Sequence, residues 1–297
     1  MLGDKKTPVV IALGFFDSVH LGHRQVIDKA IALAKKLNAL PAVFSFREDV
    51  RAYFGYRGGE VYTAQERKKI LTSLGVKNFY FAPVSKTFLN KDRRAFLDFL
   101  DTKFDIKGYV SGEDYRFGKS GLGDVDFLRA YATEKGREYA VVNAVMAGDE
   151  KISSSKIKEL LTVGDIKGAN ALLGSEYFVT GTVFKDRQVG GKLGFPTVNI
   201  KISKQKHLLK FGVYAGKVKI GKKTYRAVIN YGTRPTFGLD TALIEAHVID
   251  YSGDLYGKTL TVAFSGYMRD IITFSDVDGL KERLTKDVLS VKDGLYD

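Results

Sequence analysis

The spacing of apolar positions changes partway along this chain. Residues 9–13, Val-Val-Ile-Ala-Leu, form an unbroken apolar run, the pattern of a strand covered on both faces. Over 24–37 the period lengthens, and Val26, Ile27, Ala30, Ile31, Ala34 and Leu37 make one helical stripe that stops at Asn38. Thr63 and Glu66 form a capping box that opens a helix over 63–74, closed by Gly75. Strands at 42–46, 79–81, 108–110 and 139–142 then alternate with helices at 91–100 and 124–135. Such alternation predicts a doubly wound parallel sheet whose ligands sit beyond the strand C-termini. Two short helices follow, at 155–161 and 165–172, and Gly174-Ser175 reads as a joint. Beyond it come short strands at 177–183, 212–220, 224–230, 242–249 and 260–264, with turn residues between them, and a final amphipathic helix at 276–289. That spacing predicts an antiparallel barrel. The expected fold class is α/β plus all-β, with domains over 1–174 and 175–297.

Composition narrows the possible chemistry. The chain has no Cys, which excludes a disulfide framework and a thiolate metal site. Residues 1–8 lack the apolar core of a secretory leader, and the run 9–16 is too short to span a bilayer. A cytoplasmic protein without a membrane partner is expected. The formal net charge of +13 favours anionic partners, either nucleic acid or phosphorylated small molecules. The basic residues are dispersed and no aromatic RNA-recognition strand is present, so nucleic acid is not expected. Nothing in the pattern fixes an oligomeric state.

Five stretches carry candidate chemistry. Gly14 to His23 lies between a buried strand and a helix, so His20 and His23 stand near a helix N-terminus suited to phosphate. Asp17, His20 and His23 are also acceptable metal ligands, and plain local hydrogen bonding is the third reading. Gly112 to Gly118 follows another strand of the same sheet and should face the same cleft. Ser153, Ser154 and Ser155, with Lys156 and Lys158 behind them, suit either helix capping or phosphate. Gly190 to Asn199 is a glycine loop leading into an extended segment, where Thr197 and Asn199 share a face and offer neutral oxygens to Mg²⁺. Finally, Glu245 and His247 alternate with apolar neighbours, so a carboxylate aimed into a barrel mouth could act as a general base. Gly216 to Lys223 nearly matches a phosphate-loop pattern, but Lys223 stands where Ser or Thr is needed, and a strand turn explains it better.

Taken in order, these motifs resemble the bacterial bifunctional riboflavin kinase/FAD synthetase family. Gly194-Phe195-Pro196-Thr197-Val198-Asn199 is the most specific match, and Gly212 to Ala215, Asn230 to Phe237, Glu245 to His247 and Asp254 to Gly257 follow in the family's order. The resemblance implies that riboflavin is phosphorylated by ATP to FMN in the C-terminal barrel. FMN is then adenylylated by ATP to FAD in an N-terminal nucleotidyltransferase-type domain. It implies that Thr197 and Asn199 hold Mg²⁺, that Glu245 deprotonates the ribityl hydroxyl, and that His20 and His23 serve adenylyl transfer. Nucleotide contacts are implied for Gly14, Phe15, Asp17, Gly22, Asp114, Arg116, Ser153, Ser154, Ser155 and Lys156. In the barrel they are implied for Gly190, Lys192, Gly194, Pro196, Thr197 and Asn230, and flavin contacts for Tyr214 and Arg269. This chain departs from the pattern at Phe46 to Asp49, where a Pro-His-Pro turn is usual, and at Ser18, Lys156, Lys158 and Gly191. Two alternatives stand beside this reading: a kinase whose N-terminal half only binds nucleotide, and a basic RNA-binding flavin sensor.

Overall fold

The computed structural model describes residues 7–185, 194–233 and 242–296. The chain divides into two compact units, Met1–Ser154 and Ser155–Asp297.

In the first unit, β1 (Pro8–Leu13), β2 (Leu40–Phe46), β3 (Asn78–Ala82), β4 (Asp105–Gly112) and β5 (Glu138–Val142) form a parallel sheet in the order β3-β2-β1-β4-β5. The central strand β1 is buried from Val9 to Leu13, which is why no polar residue interrupts it. Helices α1 (Leu21–Lys36), α2 (Val50–Tyr53), α3 (Ala64–Ser73), α4 (Lys86–Leu89), α5 (Arg93–Lys103) and α6 (Val125–Glu134) connect the strands, and β6 (Met146–Ala147) pairs with β7 (Glu150–Lys151). The capping box at Thr63 and Glu66 is formed as expected. The order of connections reverses between β1 and β4, so a crevice opens beyond Leu13 and Gly112. Helix α1 begins earlier than the expected residue 24, because His20 is its N-cap and accepts the His23 N–H on Nδ1 at 3.2 Å. Histidine is not among the usual caps, so this start carries no sequence signal.

The second unit contains α7 (Ser154–Val163, whose first residue ends the first unit), α8 (Ile166–Leu173) and a closed antiparallel barrel. Its strands are β8 (Tyr177–Phe184), β9 (Thr197–Lys201), β10 (Gly212–Ile220), β11 (Lys223–Thr233), β12 (Ala242–Val248) and β13 (Thr259–Arg269), in the order β10-β11-β12-β9-β8-β13. In packing terms the division falls earlier than the expected 174/175. The apolar face of α8 is buried, and Asn170 donates to Phe264 O at 2.9 Å while accepting the Tyr177 N–H at 2.7 Å. Gly174, at φ 67°, is the left-handed cap of α8.

Inside the barrel, the Tyr214 ring meets Phe264 at 5.3 Å and Tyr231 at 6.4 Å between centroids. A Cβ at Gly216 would stand 2.1 Å from the Ala263 carbonyl oxygen, so β10 and β13 can pair closely only with glycine there. Gly221-Lys222 turns β10 into β11, with Ile220 opposite Lys223, as the turn reading of that stretch expects. Helix α9 (Val277–Lys292) closes the chain and buries Val291 with Val213, Ala215, Val228 and Ile249. Its Asp287, 1% exposed, accepts from Arg269 at 2.6 Å and from Arg283 at 3.1 Å. Asp287→Ala strips a half-buried arginine of its counter-charge and is expected to cost about 3 kcal/mol, read as a lower denaturant midpoint.

Candidate functional site

The crevice of the first unit is a cavity of about 670 Å³. Gly14, Phe15, His20, Gly22, His23, Asp114, Arg116, Ser153 and Ser154 all line it, bringing three of the stretches singled out in the sequence to one place. The His20 and His23 rings stack at 3.8 Å between centroids and 13° between planes, with Phe16 edge-on to His23 at 5.3 Å. Burial pushes the His20 imidazole down to about 4. His23 lies well below its ordinary value, through burial first and then the neighbouring His20 and Arg67 charges. Both rings are therefore neutral at pH 7. Since Nδ1 of His20 accepts an N–H, its single proton sits on Nε2, which makes that atom a hydrogen-bond donor.

Other polar groups at the wall are held in place. Lys151 reaches Asp114 at 2.6 Å, Arg116 reaches Asp124 at 3.2 Å, and Ser154 Oγ lies 2.9 Å from Ser18 Oγ. The loop before His20 carries two non-glycine residues in the left-handed region, Phe16 at φ 54° and Val19 at φ 44°. For a β-branched residue that is real strain, of the kind functional loops store. Phe44, Phe46, Phe88, Phe96, Tyr115 and Phe117 give the wall an aromatic stretch beside aliphatic side chains such as Leu13, Val26 and Ile152.

Three expected contacts fall elsewhere. Asp17 is buried and does not line the cavity; it accepts the Val61 N–H at 2.8 Å and anchors the loop. Ser155 and Lys156 lie on α7 and do not line it either, Lys156 pairing with Glu159 at 3.6 Å. The metal reading of Asp17, His20 and His23 is not supported, because no group of three such side chains among the described residues is arranged to hold an ion. Arg51 and Lys151 went unremarked in the sequence. Arg51 follows the stretch that departs from the family pattern, is fixed by Asp49 at 2.7 Å and stacks over Tyr56 at 4.4 Å.

In the barrel, register assembles the second constellation. Asn230 of β11 and Asn199 of β9 both lie directly opposite Glu245 of β12, and Thr197 lies opposite His247. Directly opposed residues of antiparallel strands share a face, so these five side chains stand together. The face is the outer one. Ile244, Ala246 and Tyr231 alternate with them and point inward, Tyr231 into the aromatic core. Glu245 is thus not aimed into the barrel mouth, because that parity belongs to its apolar neighbours. Asn230 Nδ2 donates to Glu245 Oε2 at 3.3 Å, while Oδ1 of Asn230 and Oδ1 of Asn199 are buried without a hydrogen-bond partner among the described residues. His247 Nδ1 donates to the Pro196 carbonyl at 2.9 Å and so holds the turn that begins at Gly194, φ 87°.

A cavity of about 360 Å³ adjoins Pro196 and Thr197 and is walled by residues 251–256, overlapping the Asp254–Gly257 marker of the sequence. Gly190 and Lys192 lie outside the described residues, as do Arg234 to Phe237 of the Asn230–Phe237 marker. Tyr214 and Arg269, implied for flavin, are engaged within the protein. Tyr214 is wholly buried and donates to the Lys210 carbonyl, and Arg269 tethers α9 through Asp287.

Two family models match the chain in succession. A family model described as FAD synthetase matches residues 3–156, and one described as riboflavin kinase matches residues 173–295. A Listeria monocytogenes protein described as a bifunctional riboflavin kinase/FMN adenylyltransferase is 33% identical over 287 residues, with 94% of this chain and 90% of its own covered. One of the same description from Haemophilus influenzae is 32% identical over 286 residues, covering 95% and 92%. A solved structure from Streptococcus pneumoniae, described as a macrolide-efflux protein, superposes with a TM-score of 0.86 at 28% identity, covering 97% of this chain and 95% of the other. Among the described residues of this chain, no helix is long and apolar enough to cross a membrane.

Proposed function

This chain belongs to the bifunctional riboflavin kinase/FMN adenylyltransferase family, and we infer that each of its two reactions is carried by one unit. It transfers the terminal phosphoryl group of ATP to riboflavin, giving FMN, and then the adenylyl group of a second ATP to FMN, giving FAD and pyrophosphate.

The kinase step falls to the barrel. Glu245 takes the proton of the ribityl 5′-hydroxyl as that oxygen attacks the terminal phosphorus and ADP leaves. Asn230 orients the carboxylate through its amide N–H. Thr197 and Asn199 would hold Mg²⁺, which on binding withdraws charge from the phosphoryl oxygens. The orphaned Oδ1 of Asn199, a neutral oxygen beside a carboxylate, is the donor chemistry that ion takes. The nucleoside of ATP is assigned to the neighbouring cavity walled by Tyr251 and Tyr256. One observation carries the reading: the row Asn199, Glu245, Asn230 across three paired strands.

Adenylyl transfer falls to the cavity of the first unit. A phosphate oxygen of FMN attacks the α-phosphorus of ATP, and His20 and His23 donate hydrogen bonds to the phosphoryl oxygens as charge builds there. The aromatic wall suits the flavin ring. Arg51 supplies a cation next to the missing Pro-His-Pro turn. A cytoplasmic location suits both ATP-dependent steps.

Chromatography of flavins after incubation with riboflavin, ATP and Mg²⁺ tests both halves, with FMN expected to rise first and FAD to follow. FMN without FAD would reduce the first unit to a binding module. Asn199→Leu probes the ion. It removes a buried unpaired oxygen, so the thermal midpoint is expected to hold or rise while FMN formation collapses. Wild-type FMN formation in that variant would remove Asn199 from the ligand set.

A further inference from the structure

Arg67, on α3, has no solvent-exposed surface. Its guanidinium donates to Phe15 O at 2.8 Å, Ser45 Oγ at 2.9 Å, Phe46 O at 2.9 Å and Arg47 O at 2.7 Å. These acceptors cluster at the C-terminal ends of β1 and β2, where the Ser45 hydroxyl also donates to Phe15 O at 2.7 Å. The cation also lies over the Phe15 ring at 4.6 Å. Glu60 lies 3.7 Å away and is 3% exposed, its carboxyl pushed up to about 7 by burial against the pull of the Arg67 charge, and its other oxygen accepts the Asp49 N–H at 2.7 Å. Asp49 caps α2, and Asp49 and Arg51 are part of the cavity wall. Next to Glu60, the Val61 and Tyr62 N–H groups hold Asp17, through its Oδ1 at 2.8 Å and its carbonyl at 3.1 Å. Arg67 and Glu60 therefore fasten the wall segments around residues 15, 46 and 49, and the backbone beside Glu60 holds the loop leading to His20.

We propose that Arg67 is a positioning residue for adenylyl transfer, setting the Gly14–His20 loop and the α2 cap at the geometry the reaction needs. This rests on assigning FMN adenylylation to the cavity it borders. Arginine suits the place because two nitrogens share the acceptors, Nη1 meeting Phe15 O, Ser45 Oγ and Phe46 O with one of its two hydrogens shared and Nη2 meeting Arg47 O, whereas lysine puts all its donors on one atom. Burying an arginine among backbone carbonyls is costly for stability alone, since apolar packing of similar volume is often at least as stabilising. Phe15 and Phe46 face the cavity, and their carbonyls are two of the three taken.

The test is Arg67→Lys in the full chain, with kcat and KM for FAD formation from supplied FMN and ATP measured beside FMN formation from riboflavin. Rates are taken per native chain, counted by denaturation at the assay temperature. The expected result is a fall in adenylylation kcat of ~10-fold or more, toward the ~10²-fold that a 1 Å misplacement costs. KM for ATP should change less than kcat, and the kinase rate should stay at the wild-type level. A lower denaturation midpoint with unchanged kcat per native chain would overturn the proposal, and so would an equal fall in both activities. If Arg67→Lys does not fold, Glu60→Gln takes its place, assayed at pH 8 where the wild-type carboxyl is ionised, keeping an acceptor for the Asp49 N–H while removing that charge. A several-fold drop in adenylylation kcat alone is then expected, and a wild-type kcat overturns the idea. Wild-type protein that makes no FAD from FMN would sink the site assignment instead.

Discussion

Glu245→Gln is expected to lower FMN formation by roughly the ~10²–10⁴ typical of a lost general base, and to leave FAD formation from supplied FMN intact. Glutamine keeps the side-chain volume and an oxygen for the Asn230 N–H, so the row across β11, β12 and β9 should survive. What disappears is a group able to accept the ribityl proton. The separation between activities follows from where the residues lie, because Glu245 belongs to one compact unit and the His20 cavity to the other. Undiminished kinase turnover in this variant would remove Glu245 from the chemistry.

His20→Asn should produce the opposite pattern, a loss of ~10²–10³ in adenylylation with riboflavin phosphorylation preserved. Asparagine is chosen over alanine because His20 has two jobs. Its Nδ1 caps α1 by accepting the His23 N–H, and asparagine is a good cap. Its Nε2–H is the donor that a phosphoryl oxygen would use, and asparagine does not reach that position. Because burial holds the ring down to about 4, the donor is neutral across the physiological range. The wild-type rate should then show no histidine ionisation between pH 6 and 8, measured under saturating substrates. Equal loss of both activities in His20→Asn would argue against separate sites.

The parts of this molecule legible in its sequence are those written in local period. The buried run of β1, the stripe of α1 and the capping box of α3 are readable one element at a time, and alternation then implies the parallel sheet. The two histidines at a strand end and the 197/199 and 245/247 pairs were likewise visible, since each needs only one strand's parity. Partnership between distant elements was not. That β9 pairs with β12, setting Asn199 opposite Glu245, depends on how the barrel closes. The inward or outward sense of that row depended on the Tyr214–Tyr231–Phe264 core, which no single strand reveals. Helices α2 and α4, four residues each, are too short to show a period. Arg67 did leave a trace: it occupies the stripe of Ile70 and Leu71, a charge on an otherwise buried face. Arg269 left none, because its partner Asp287 lies on a helix eighteen residues on.

The ladder between β9 and β12 acts as a ruler. Opposed residues of antiparallel strands keep their Cα atoms about 4.5–5.5 Å apart whatever the connecting turns contain. Insertions or rewritten side chains in the flanking loops could retune which nucleotide or vitamin is admitted without altering the separation of carboxylate and amide. A slip of one residue between the two strands would do the reverse, swinging Glu245 into the apolar interior and turning Ile244 or Ala246 outward. Substrate choice can therefore drift in this barrel while the spacing that moves a phosphoryl group stays locked by backbone pairing.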